Sequence, residues 1–238
     1  MNPIDKILTL LSLACALGQA GIASPAMSAV YSKVQGSPPS TQSVEAQHHY
    51  YKGVNGIERG DYRRAIEEFD RAIKLNPNLV EAYCNRGLAR IGQGDYQKAI
   101  ADFDRALQLD PSHVDAYNRR GNARAELGNL PQAIADFTRA IKVDPQFTDA
   151  YYNRGLAYTE AGNLQGAIAD YDYAIKLAPT LAEAYGNRGF VRYRLGDKPG
   201  GISDLKQAAE LFLNQGNMTG YQQTLTYIEL IEHTPQTR

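Results

Sequence analysis

The feature that most constrains this chain is a period of 34 residues. Pro77, Pro111, Pro145 and Pro179 follow one another at that step. Gly53, Gly87, Gly121, Gly155 and Gly189 keep the same step, as do Gly60, Gly94, Gly128, Gly162 and Gly196. Two alanine series run in phase with them, Ala65, Ala99, Ala133, Ala167 and Ala72, Ala106, Ala140, Ala174, Ala208. A fixed period of this length marks a stacked repeat, in which no unit can bury its apolar face alone and neighbours complete one another's core.

Each unit reads as two helices. In the segment 80–113, helix A is expected over about Glu81–Gln93 and helix B over about Tyr96–Leu109. Gly94-Asp95 makes the turn between them, because glycine enters the left-handed region without steric cost. Pro111 ends helix B and makes Asp110 a linker residue, as Asn76, Asp144 and Ala178 are in their units. Gly87, Ala99 and Ala106 are small where helices must approach, and Tyr83, Phe103 and Leu107 fill the wider gaps.

This pattern resembles the tetratricopeptide repeat (TPR). Tyr83, Gly87, Tyr96, Ala99, Phe103, Ala106 and Pro111 fall on the signature positions of that family. The same phase gives five units, 46–79, 80–113, 114–147, 148–181 and, less regularly, 182–215, about 170 of 238 residues. The resemblance implies an all-α fold, a right-handed α-solenoid of antiparallel helix pairs. The residues 216–238 then hold a capping helix, Thr219–Ile231, and a tail. The end units depart from the pattern. His49 takes the aromatic position in the first, and in the fifth Gly201 replaces alanine, Leu205 the aromatic and Leu213 the proline.

Ahead of the repeats, Ile7–Leu17 is a short apolar run preceded by Lys6 and followed by small residues. It reads as a signal peptide over 1–29, cleaved after Ala20, Ala23 or Ala29, with Ala29 favoured, and predicts an exported protein of the periplasm, envelope or exterior. The run is too short for a standard membrane-spanning helix. The polar, proline-bearing stretch 30–45 reads as a flexible linker.

A second series accompanies the glycines. The residue before the helix A glycine is Lys52, Arg86, Arg120, Arg154 or Arg188, and sixteen residues later stands Glu68, Asp102, Asp136, Asp170 or Asp204. The joint recurrence predicts a cation–carboxylate pair between helices A and B of every unit, with the arginine stem packed on apolar neighbours.

The resemblance also implies where a partner sits, since in TPR proteins helix A residues line the concave face. Carried onto this chain, that wall comprises Tyr50, Val54, Asn85, Leu88, Asn118, Arg119 and Asn122, and continues through Tyr152, Asn153, Leu156, Asn187, Phe190 and Tyr193. Tyr51, Cys84 and Arg194 also belong to it. The carboxamides of Asn85, Asn153 and Asn187 suit a peptide backbone, while Val54, Leu88, Leu156, Phe190 and the tyrosines suit side-chain anchors. Glu58, Glu81, Asp115, Glu126, Asp149, Glu160 and Glu183 make the wall acidic, which favours a neutral or basic segment. The acids Asp149 and Glu183 stand where the carboxylate clamp of some TPR cochaperones needs basic residues.

Function follows as expectation. The chain is read as a non-catalytic binding scaffold or assembly factor for a protein or peptide, similar to bacterial factors that assemble envelope or photosynthetic membrane complexes. A self-association module and a carbohydrate or cell-wall binder are the alternatives. With a net charge of −1, no nucleic-acid partner is expected. No cofactor, metal site or catalytic residue is expected: the four histidines have no ligand spacing, and Cys84 has no histidine near in sequence. Membrane proximity is open, and a monomer is favoured.

Overall fold

The computed structural model describes residues 41–233, which form eleven α-helices and no strand. They are α1 (Thr41–Glu58), α2 (Tyr62–Leu75), α3 (Val80–Gly92), α4 (Tyr96–Leu109), α5 (Val114–Glu126) and α6 (Leu130–Val143), then α7 (Thr148–Glu160), α8 (Leu164–Leu177), α9 (Ala182–Arg194), α10 (Lys198–Asn214) and α11 (Met218–His233). The signal peptide expected over 1–29 lies outside the described residues. So does the linker expected over 30–45 up to residue 40, but its last five residues are helical, because α1 begins at Thr41. No glycine or proline stands between Thr41 and Gly53, so nothing there stops the helix.

Each A–B turn is built alike. At the first helix end of the 80–113 unit, Gly94 has φ +77°. Its N–H donates to Ile91 O at 2.8 Å, and Asp95 N–H donates to Arg90 O at 2.8 Å. This is the Schellman pair that satisfies the last carbonyls of a helix. Asp95 then caps α4, accepting from Lys98 N–H at 3.3 Å. Asp61, Asn163 and Asp197 cap α2, α8 and α10 in the same way. At the other end of α4 the residue before proline, Asp110, is extended with φ −131°, as the proline ring requires. Leu213 in place of proline lets α10 run on to Asn214, and the chain turns instead at Gly216, φ +72°.

Neighbouring helices pack along the whole chain, and successive odd-numbered helices from α1 to α9 also touch one another. Among the described residues, no contact of that extent joins the even-numbered ones. The odd helices therefore line the inner side of a curved stack. In the core of the first four units, a ring from the even helix seats on the odd-helix glycine. Phe103 lies so close to Gly87 that a Cβ there would meet the ring at 2.9 Å. In the fifth unit the approach is backbone on backbone: a Cβ on Gly189 would lie 2.8 Å from the Gly201 carbonyl. Glycine for alanine at 201 is thus matched to leucine for the aromatic at 205. The last helix, α11, buries Thr224, Ile228 and Ile231 against α10 and exposes Gln222, Gln223, Thr226 and Glu229. It closes the stack, as the sequence indicates for a cap.

The predicted cation–carboxylate pairs form in four of five units and reach further than expected. Arg120 donates from Nε and Nη2 to the Asp136 carboxylate, 2.9 and 2.6 Å, within its own unit. Its Nη1 reaches back to Asp104 of the preceding unit at 2.6 Å. Arg86 links Asp102 and Asp70, and Arg188 links Asp204 and Asp172, in the same two directions. Arg154 pairs with Asp170 at 2.7 Å but reaches back to the Thr138 hydroxyl, 3.0 Å. Each of these guanidinium groups also lies over a tyrosine ring, such as Tyr117 at 5.5 Å from Arg120. Burial works against the Arg120 charge, yet Asp136 and Asp104 outweigh it and hold the group above its ordinary value. The first unit departs from expectation. Glu68 is taken by His49 Nδ1 at 2.6 Å and Arg71 Nη1 at 2.7 Å rather than by Lys52. A glutamate is one methylene longer than aspartate and meets the smaller His49 where other units carry tyrosine.

Asp136 is also bonded by Arg124 at 2.7 Å, whereas Asp170 has Arg154 as its one ion-pair partner among the described residues. Arg154→Leu should therefore destabilise the fold by about 3 kcal/mol, the cost of stranding a buried carboxylate. Arg120→Leu should cost less, and adding Asp170→Leu to Arg154→Leu should recover most of the loss. Urea denaturation of the four chains checks the order. A cost for Arg120→Leu equal to that for Arg154→Leu would contradict it.

Candidate functional site

The inner wall is carried by α1, α3, α5, α7 and α9, and its side chains are held by the helices behind them. Tyr50 lies tilted on Phe69 of α2, ring centroids 5.9 Å apart, and Val54 joins the same cluster. Three units on, Tyr152 lies tilted on Tyr171 of α8 at 6.1 Å, with Leu156 and Phe190 beside it. Leu88, Arg119, Asn122, Leu156 and Phe190 are half-buried. Arg194 is exposed, 5.7 Å over the Phe190 ring, and Tyr51 is exposed, edge-on to Tyr50.

The asparagines expected to read a peptide backbone are engaged with the neighbouring unit. Asn85 Nδ2 donates to the Tyr50 hydroxyl at 2.9 Å, and Asn187 Nδ2 donates to the Tyr152 hydroxyl at 3.0 Å. Asn153 Nδ2 donates to Asn118 Oδ1 at 3.0 Å, and Asn118 itself is 7% exposed. These bonds form a ladder between consecutive odd helices, and they orient the two tyrosines. At the remaining rung the repeat phase places Cys84 and Arg119, and the Arg119 charge is felt by the Cys84 thiol. Tyr193 stands apart from the other candidates. It packs with Leu205, Ile228 and Ile231, so α11 shares it.

The acids differ in their surroundings. On the even helices, Asp70, Asp102, Asp104, Asp136, Asp170, Asp172 and Asp204 are all in ion pairs. None of the wall acids Glu58, Glu81, Asp115, Glu126, Asp149, Glu160 and Glu183 has an ion-pair partner within 4.0 Å among the described residues. Burial pushes the Asp149 carboxyl above its ordinary value, Asp115 adds to this, and Arg119 partly offsets it.

The structure also brings together two residues that sequence reading kept apart. His113 Nε2 lies 3.7 Å from Cys84 Sγ. His113 precedes α5 and caps it, its Nδ1 accepting from Ala116 N–H at 3.2 Å. With Nδ1 accepting, the neutral ring carries its proton on Nε2 and donates toward sulfur. It therefore has no lone pair with which to deprotonate the thiol or hold a metal ion beside it. Burial is the main cause that pushes the Cys84 thiol up to about 12. The arrangement is a polar contact in the core, opposite in sense to an activated cysteine. Among the described residues no cluster of His, Cys, Asp and Glu could hold a metal ion. In a chain carrying Cys15→Ser, Cys84 should react with a disulfide reagent at pH 8 about 1,000-fold more slowly than a thiol of ordinary pKa, and at the ordinary rate once unfolded in urea. Native reactivity near the unfolded rate would contradict the burial argument.

Known proteins place the chain. A TPR repeat model matches residues 57–94, and tetratricopeptide repeat models match 80–113 and 118–182, together just over half of the chain. An uncharacterized protein of Methanocaldococcus jannaschii, MJ0572, is 42% identical over 45 residues, 19% of this chain and 52% of the relative, so the match spans about half of that relative's length. Among solved structures, MamA (41-end) from Desulfovibrio magneticus RS-1 superposes with a TM-score of 0.67 at 25% identity, over 72% of this chain and 97% of that one. YrrB, described as a TPR protein with an unusual peptide-binding site, has a TM-score of 0.61 at 19% identity, over 76% of this chain and 92% of its own, and shows likeness of fold alone. The helix pairs, the in-phase signature and these matches agree: the chain belongs to the tetratricopeptide repeat family.

Proposed function

We propose that this protein is a binding scaffold whose groove, lined by the odd helices, holds a neutral or basic extended segment of another protein. The observation that carries the reading is the contrast between its two sets of carboxylates. The recurring aspartates of the even helices are consumed in holding the stack together. The carboxylates of the inner wall have no ion-pair partner among the described residues. The helix dipole accounts for part of this wall, because Glu81, Asp115, Asp149 and Glu183 stand in the first turns of α3, α5, α7 and α9. It cannot account for Glu58, Glu126 and Glu160, the last residues of α1, α5 and α7, where the dipole disfavours an acid. Acids kept where they cost stability are explained by a cationic partner. A fold of this kind carries a peptide-binding site in YrrB.

The apolar run Ile7–Leu17 supports action outside the cytoplasm, and the polar outer face of α11 supports a monomer. The scaffold chemistry needs no catalytic group: the one thiol near a histidine is held neutral.

Two outcomes follow. The triple variant Glu58→Gln, Glu126→Gln, Glu160→Gln should melt no lower than the native chain, while its affinity for a synthetic lysine-rich peptide falls about ten-fold or more at low salt. Calorimetry and fluorescence anisotropy read the two quantities, and unchanged affinity would count against the groove. For export, N-terminal sequencing of the protein from its native host should begin just after Ala20, Ala23 or Ala29, and a chain that keeps Met1 would count against cleavage.

A further inference from the structure

The groove contains the same aromatic device twice. In the first, Tyr50 rests on Phe69 at 5.9 Å and an interplanar angle of 51°, its hydroxyl bonded by Asn85. In the second, Tyr152 rests on Tyr171 at 6.1 Å and 53°, its hydroxyl bonded by Asn187. Each phenol is thus fixed at both ends, by a ring from the even helix behind it and by an amide from the next odd helix. Each pad is extended by a half-buried apolar side chain in the same cluster, Val54 at the first and Phe190 at the second. The two tyrosines are three repeats apart in the chain.

The two units between them are built differently, and at the tyrosine position α3 carries Cys84. At the tyrosine position α5 carries Asn118, which is buried and accepts from Asn153. The neighbouring groove positions are Arg119 and Asn122, with Asp115 and Asp149 close enough to Arg119 for its charge to be felt by Asp149. No aromatic pad is formed there. Along the groove the order is therefore apolar, polar with acid, apolar.

We propose that the partner is one extended segment gripped at two points, with an apolar or aromatic side chain on each pad and a polar or basic stretch between. This rests on the groove reading given above and specifies the partner further. The spacing follows from geometry. Packed helices lie 8–10 Å apart, so three steps along the odd helices span about 27 Å. An extended chain advances about 3.3 Å per residue, which sets the anchors about eight residues apart. A segment with both anchors gains the second contact as an intramolecular event, so the pair binds far more tightly than either anchor alone.

The test uses the full chain against a displayed library of random sixteen-residue peptides, followed by synthesis of the enriched sequences with a photoreactive benzoylphenylalanine at one anchor or the other. The expected enriched peptides carry two apolar or aromatic positions separated by about eight residues, with lysine, arginine or neutral polar residues between. One anchor should crosslink to the first two units and the other to the last two. Val54→Gln and Phe190→Gln should each lower the affinity about ten-fold, and deletion of the matching anchor should abolish the effect of its own substitution only. Crosslinking requires no substitution in the protein, so a variant that folds poorly does not silence the result. Enriched peptides with a single anchor, or with both positions crosslinked to one pad, would overturn two-point binding while leaving the groove in place. Peptides whose binding neither substitution affects and whose crosslinks fall on the even helices or α11, or a library that yields no enrichment, would overturn the groove reading and this inference with it.

Discussion

The structure depends on a buried carboxylate held from helix to helix by an arginine. In the second, third and fifth units one guanidinium bonds the aspartate of its own even helix and, by its other nitrogen, the aspartate of the preceding even helix. A tyrosine ring of the same odd helix lies beneath it. A salt bridge buried by itself is weak evidence for stability, since desolvation offsets the Coulomb attraction. Here the value is geometric. A planar fork that must satisfy acids on two helices fixes the position of the odd helix relative to both. Hydrophobic contact between alanines and a phenylalanine could slide by a fraction of a turn, but the fork cannot without stranding an acid.

That constraint divides the charges of the molecule. The repeating arginines and the aspartates of the even helices neutralise one another inside the stack, so the near-zero net charge of the chain conceals an uneven distribution. Glu58, Glu126 and Glu160, at the ends of odd helices, stand outside these pairs. The first and fourth units loosen the pattern in different ways. Glu68 is bonded by an imidazole and an exposed arginine, and Arg154 reaches a hydroxyl where other units offer a carboxylate. The stack is thus not uniform along its length, although the helical skeleton is.

Much of this was legible in the sequence because repetition turns one observation into five. The helix pairs, the turn glycines and the Arg120–Asp136 type of pair all recur at one step, and each recurrence excludes accidents. The return link to Asp70, Asp104 and Asp172 was equally periodic, and could have been found by asking which acids precede each arginine by sixteen residues. Groove chemistry was less legible. A carboxamide donates and accepts, but residue type does not say to whom, and Asn85, Asn153 and Asn187 give an N–H to the adjacent unit. Tyr193 follows the repeat phase, yet the unit after it is a single closing helix that takes up its ring. The Cys84–His113 contact escaped notice because it occurs once, between the core of one helix and the cap of another, where no periodicity points.

The bonds that Asn85 and Asn187 make to the tyrosines bear on binding. A tyrosine free to rotate loses conformational entropy when a partner arrests it, and that loss is subtracted from affinity. Tyr50 and Tyr152 are already arrested, each by a ring behind and an amide beside. The amide belongs to the next odd helix, so the orientation of the phenol depends on the spacing of two units. The arginine forks between odd and even helices set that spacing. A segment lying on the tyrosines therefore meets a surface whose shape is fixed by bonds it never touches, and substitutions in those bonds alter the groove without altering any residue that lines it.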